Sequence, residues 1–182
     1  MPLWGMPKKA KVYEALGAVA DGRVRLSGPA RAEVVSSTGE RTYTVTWSDD
    51  GRVFSSNDNA SYWQRSMGYP IIAVLLAAGR LAYDPALAAP LGGVAWKHLN
   101  EVFKRDYDKT VTAALRAAEE RGADRAAIVA HAEAIYAQLE ALGLERGPRG
   151  APPERRSAAR PGTGARRGAP VDGSAPSARK EK

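Results

Sequence analysis

No cysteine occurs anywhere in the 182 residues, and only two histidines do. The first absence excludes disulfides, thiolate metal sites and cysteine nucleophiles, and it fits a reducing compartment. No apolar run approaches the roughly 18 residues that a membrane-spanning helix needs, and the few residues before Lys8 are too short for a secretory leader. The expectation is therefore a cytoplasmic protein with no membrane partner. Also missing are a glycine loop that cradles phosphate, a nucleophile elbow and a pair of metal-binding carboxylates. With His98 and His131 lacking an acidic neighbour or ligand spacing, they read as boundary histidines, and no catalytic residue, metal or cofactor is expected.

What is present is unevenly distributed. Ten of the 27 Lys/Arg and three of the 20 Asp/Glu fall in residues 146–182, so this tail carries +7, the whole net charge of the chain. The body before it is neutral. Gly, Pro, Ala, Ser and Arg dominate the tail, which has too few large apolar side chains to offset the entropy of ordering. A disordered basic tail is expected, with Arg155, Arg156, Arg160, Arg166 and Arg167 able to contact nucleic-acid phosphates without reading sequence. The alternative is a tail that only solubilises.

Along the body, residues 8–20 place Val12, Leu16 and Val19 at helical spacing, with Lys8, Lys9 and Lys11 off that stripe as either a solvated face or a phosphate patch. A short strand is expected at 23–26. Residues 31–36 and 42–48 alternate as strands, Asp49-Asp50-Gly51 turns the chain, and 52–55 returns it. Residues 56–67, SNDNASYWQRSM, form a polar loop with two aromatics. Pro70 then opens a helix whose segment 71–76 is apolar on every side, which makes it central.

The second half is helical. Asp84-Pro85 caps a short helix, residues 94–122 carry one apolar stripe through Leu99, Val102, Phe103, Tyr107, Val111, Leu115 and Ala118, and Asp124 caps a last helix with Ile128, His131, Ala132, Ile135, Leu139 and Leu142 on one side. On the long helix, Trp96, Lys97, Lys104, Arg105 and Lys109 read either as a basic aromatic face or as ordinary exposed ion pairing with Glu101, Asp106 and Asp108. The expected fold is α+β: a small antiparallel sheet packed on a central helix in residues 1–83, a helical extension in 84–145 packed on it, and the tail in 146–182.

The order strand, strand, polar loop and the helix Ile-Ile-Ala-Val-Leu-Leu at 71–76, together with Tyr43-Thr44-Val45, resembles the SWIM-type zinc-binding domain, a short ββα module. In that family a Cys-x-Cys pair and a Cys-x-His pair bind the metal. Here the pairs would fall near Phe54 and Ser56 and at Gly68 and Pro70, which supply no zinc ligand set. The resemblance implies the scaffold without the metal. Zinc contributes on the order of 10 kcal/mol to small fingers, and the expectation is that Phe54, Tyr62, Trp63 and Tyr69 fill its place as one aromatic cluster.

The resulting function reading is a non-enzymatic binding or adaptor protein that contacts a protein partner or nucleic acid, with the tail adding electrostatic affinity. Its candidate binding residues are Asn57, Asp58, Asn59, Trp63, Gln64 and Arg65. Trp63 serves there either as a stacking platform or as core. The alternative is an enzyme, or a subunit of one, with a loop pocket around Asp58 and Arg65.

Overall fold

A computed structural model of the protein describes residues 1–152 and the backbone of 154 and 155. The fold is α+β. Helix α1 (Ala10–Ala20) leads into four antiparallel strands, β1 (Val24–Gly28), β2 (Arg31–Val35), β3 (Arg41–Trp47) and β4 (Val53–Ser56), joined in sequential order. The β2–β3 register sets Ala32 opposite Val45 and Val34 opposite Tyr43. With a side-chain period of two, these four alternating residues fall on one face, and all are buried. A short helix α2 (Asn59–Trp63) then precedes α3 (Tyr69–Ala77).

Helix α3 is the centre of the molecule. Pro70 stands in its first turn, where a missing N–H costs nothing, and every residue from Pro70 to Leu76 is buried. A helix that is apolar all round is stable only if it is covered all round. Here α1 covers one side and the sheet another, while the remaining helices α4 (Pro85–Ala88), α5 (Trp96–Val102), α6 (Tyr107–Glu120) and α7 (Arg125–Leu142) extend the same core. That core runs unbroken from Trp4 to Leu144. Among the described residues, no helix is long and apolar enough to cross a membrane.

Two expectations are corrected here. The single helix expected over 94–122 is two helices, because α5 ends in a Schellman-type stop: Arg105 N donates to Asn100 O at 2.7 Å and Lys104 N to Glu101 O at 3.1 Å. Asp106 then caps α6 by accepting from Lys109 N at 3.2 Å. Lys104 and Arg105 occupy left-handed backbone (φ 50° and 65°), where a side chain costs roughly 1–2 kcal/mol per residue.

The second correction concerns the start of the tail. Glu145–Arg146 forms β5, parallel to β4 with Arg146 opposite Phe54, and Gly147 N donates to Phe54 O at 2.8 Å. Residues Glu154–Arg155 form β6 against Arg41 and Thr42 of β3. Backbone pairing needs no apolar side chain, so a Gly- and Arg-rich composition did not forbid it. Gly143, at φ 53°, ends α7 and turns the chain toward β4. The rest of the expected tail, with Arg156, Arg160, Arg166 and Arg167, lies outside the described residues.

Candidate functional site

Three surroundings divide the six residues of the loop that the sequence singles out. Asp58 is 4% exposed and organises the loop from within. Its Oδ1 accepts from the backbone N–H groups of Ala60 (3.0 Å) and Ser61 (3.2 Å), capping α2, and its Oδ2 accepts from Ser56 Oγ at 2.7 Å. Ser61 Oγ in turn accepts from Gly68 N at 3.2 Å, which ties α2 to the start of α3. Gly68 is packed so closely that a Cβ there would lie 2.1 Å from Asp58 Oδ1. Asn57 Oδ1 accepts from Thr44 N at 2.8 Å and closes the end of the β3–β4 pair. Both residues hold structure.

The expected aromatic cluster is not one cluster. Phe54 is buried and stacked on Trp47 (5.8 Å between centroids, 21°), Tyr69 meets Tyr43 edge-on at 6.3 Å, and Tyr62 meets Trp63 edge-on at 4.6 Å. Trp63 closes α2 facing outward and is 64% exposed, so its reading as core is corrected. The polar hub at Asp58 ties β4 to α2 and to the start of α3, while Phe54 alone of the four packs fully into the core.

Around Trp63 lies a face of arginines. Arg65, with a positive φ of 56°, sets its guanidinium 6.0 Å from the Trp4 ring, and its Nη2 donates to Gly147 O at 3.3 Å. Arg146 Nη1 donates to Arg65 O at 3.5 Å, and its Nε is buried with no partner among the described residues. Arg149 stands 5.7 Å over the Tyr62 ring. None of the three is in an ion pair among the described residues. Burial, and then the charges of Arg146 and Arg149, pull the Arg65 pKa down from its usual value while it remains a cation. A buried unpaired donor costs on the order of 1–3 kcal/mol, and like charges brought together add to that.

On another side, a cleft of about 700 Å³ opens between α1, the sheet and the α5–α6 corner, and Asp58, Asn59 and Gln64 reach its lining whereas Trp63 and Arg65 do not. The sequence gives no hint of several residues that matter there. Glu14, 4% exposed, accepts from Lys11 Nζ at 2.9 Å and Asn100 Nδ2 at 3.0 Å. Arg23 donates through Nε to Asp21 and through Nη1 to Val35 O, and leaves a buried Nη2 unpaired. Burial pushes the Tyr43 and Tyr69 phenols above their usual value, Tyr69 far above it, so both stay protonated. One usable signal existed: a charged Glu14 inside the otherwise apolar run 12–16.

Of the two readings of Trp96, Lys97, Lys104, Arg105 and Lys109, ion pairing rather than a basic aromatic face describes Lys97 and Lys109. Trp96 is buried, with Nε1 against Gly17 of α1; Lys97 pairs with Glu40, and Lys109 with Asp106 at 3.1 Å. His131 Nε2 accepts from Asp84 N at 3.0 Å, the boundary role expected of it, and His98 is exposed. Among the described residues, no three His, Cys, Asp or Glu side chains come together as a metal site.

Residues 4–145 fit the model of a family described as uncharacterised conserved protein UCP014422. No curated protein and no solved structure matches the chain.

Proposed function

We propose that this chain, which belongs to the uncharacterised conserved protein family UCP014422, is a non-enzymatic binding protein that takes single-stranded nucleic acid on the face of Trp63, Arg65, Arg146 and Arg149. The observation that carries the reading is the gathering of three guanidiniums, none in an ion pair among the described residues, near the Tyr62–Trp63 pair with its exposed indole. Guanidiniums bind phosphate bidentately and stack on planar groups. Every base offers a π-face to an exposed tryptophan, so such a surface tracks a strand without reading it. The sequence beyond residue 152 adds eight further Lys/Arg on the same side of the chain order, and these contribute through counterion release. Action in the cytoplasm fits a chain without cysteine.

The likeness to the SWIM module belongs to the same reading. Ser56 and Gly68, where two of the metal ligands would fall, lie on either side of the Asp58 carboxylate. This supports a ββα scaffold closed by hydrogen bonds in place of zinc. Elemental analysis that found stoichiometric zinc in the purified protein would overturn that part.

The binding reading is tested by fluorescence anisotropy with a labelled single-stranded oligonucleotide at several salt concentrations. Trp63→Ala is expected to weaken binding by about 1–3 kcal/mol and to leave thermal stability within about 0.5 kcal/mol, the usual effect of an exposed substitution. Ending the chain after residue 152 is expected to flatten the salt dependence. Wild-type affinity in both variants would defeat the proposal and return the face to a protein partner.

A further inference from the structure

Beyond nucleic-acid binding, we infer that the cleft beside α1 is a separate site for a small organic phosphate, holding the phosphate at Lys8, Lys104 and Arg105 and a hydroxyl-bearing body at Asn100 and Arg23. Its volume of about 700 Å³ falls within the range of roughly 300–1,000 Å³ typical of small-molecule sites. Six cationic and three acidic side chains line it, so its field is positive.

The ammonium groups of Lys8 and Lys11 both stand 4.7 Å from the centroid of the Tyr107 ring, which brings two like charges to one ring. Lys11 is answered by Glu14, whereas Lys8, Lys104 and Arg105 have no ion-pair partner among the described residues. Lys104 and Arg105 are the two consecutive residues in left-handed backbone, a conformation that glycine would adopt without strain. Their backbone is the C-terminal stop of α5, and it places both cations at the lining of the cleft.

Two lining residues also carry buried polar atoms of both kinds, a donor and an acceptor. Among the described residues, Arg23 Nη2 is a buried donor without a partner and Asn100 Oδ1 a buried acceptor without one, its Nδ2 being committed to Glu14. The protonated phenols of Tyr43 and Tyr69 add two donors. A phosphate held by Lys8, Lys104 and Arg105 leaves Asn100 Oδ1 unmet. A body carrying a hydroxyl or amine answers it. Sugar phosphates have both parts, and a bare sugar has only the second.

Isothermal titration calorimetry on the full chain with ribose 5-phosphate, ribose and inorganic phosphate reads these contributions separately. Ribose 5-phosphate is expected to bind with a dissociation constant below about 1 mM, inorganic phosphate at least about tenfold more weakly, and ribose without measurable heat. The Lys104→Gly, Arg105→Gly double variant is expected to lose about tenfold or more in affinity for ribose 5-phosphate while its melting temperature holds or rises, since the strain is gone. A packing role alone would move the melting temperature and leave binding unchanged. No heat from ribose 5-phosphate up to about 10 mM, unchanged binding by the double variant, or displacement of ribose 5-phosphate by a single-stranded oligonucleotide would each overturn the assignment. None of these results bears on whether Trp63→Ala weakens the oligonucleotide, so the two readings fail separately.

Discussion

Replacing Phe54 by Ala is expected to destabilise the protein by about 3–5 kcal/mol, the usual range for a buried phenylalanine truncated in a packed core. Phe54 is 1% exposed, its ring is stacked on Trp47, and the Arg80 guanidinium covers it at 5.4 Å. The backbone around it is equally committed. Phe54 O accepts from Trp4 Nε1 at 3.2 Å and from Gly147 N at 2.8 Å, so the N-terminal segment and β5 both close onto this residue. A void under the ring would loosen three segments at once. For a domain of this size each kcal/mol lowers the melting temperature by about 2–4 °C, which puts the expected fall near 10 °C or more. Phe54→Leu should recover most of it. A loss under about 1 kcal/mol in urea denaturation would show that the site collapses around the gap and that Phe54 does not anchor the sheet edge.

The same residue shows what the sequence could reveal. Phe54 lies where a SWIM-like module would carry a metal ligand, and its apolar nature alone said that it was packed. Which neighbours it packs against depends on Trp4 and Gly147, 50 and 93 positions away in the chain. Such pairings leave no periodic trace. Helix α3 was legible because a run that is apolar on all sides has one stable location, the middle. Strands β2 and β3 were legible because alternation at period two fixes which face is buried. By contrast, an apolar stripe through 99, 103, 107, 111 and 115 looks the same for one helix and for two that share a face. Only the left-handed backbone of Lys104 and Arg105 separates the two cases, and residue type does not encode it.

The site was legible in part, for related reasons. Asp58 could be read as a residue that bonds nearby backbone groups, and it does so as the cap of α2. Trp63 could be read as core or platform, and the choice turns on where α2 ends and which way its last residue faces. Arg146 and Arg149 were assigned to the tail on composition. Their placement beside Arg65 follows from β5 pairing with β4, a long-range match that charge counting cannot anticipate. The cleft escaped notice because its walls come from α1, β3, α2, the start of α3, α5 and α6, elements far apart in sequence.

Gly68→Ala should be nearly as damaging as Phe54→Ala, and its partner in the damage can be named. The added methyl would lie 2.1 Å from Asp58 Oδ1 and 2.5 Å from its Cγ, separations no packed structure accepts. Neither side can yield easily. The carboxylate is held by Ser56 Oγ and two backbone N–H groups, and Gly68 N is held by Ser61 Oγ. Overpacking of this kind costs about 1–3 kcal/mol, and forcing the carboxylate off its cap adds about 0.5–2 kcal/mol. Asp58→Ala alone should cost about 2–4 kcal/mol, through the lost cap and the groups left unpaired in a buried setting. In the double variant, however, the new methyl meets the space vacated by the carboxylate. The two losses should therefore fall short of additivity by about 1–3 kcal/mol, a coupling expected only of residues in direct contact. Denaturant melts of the wild type, both single variants and the double variant measure it. Strict additivity would mean that the loop relaxes away from Gly68, and that Asp58 does not set the distance between β4 and α3.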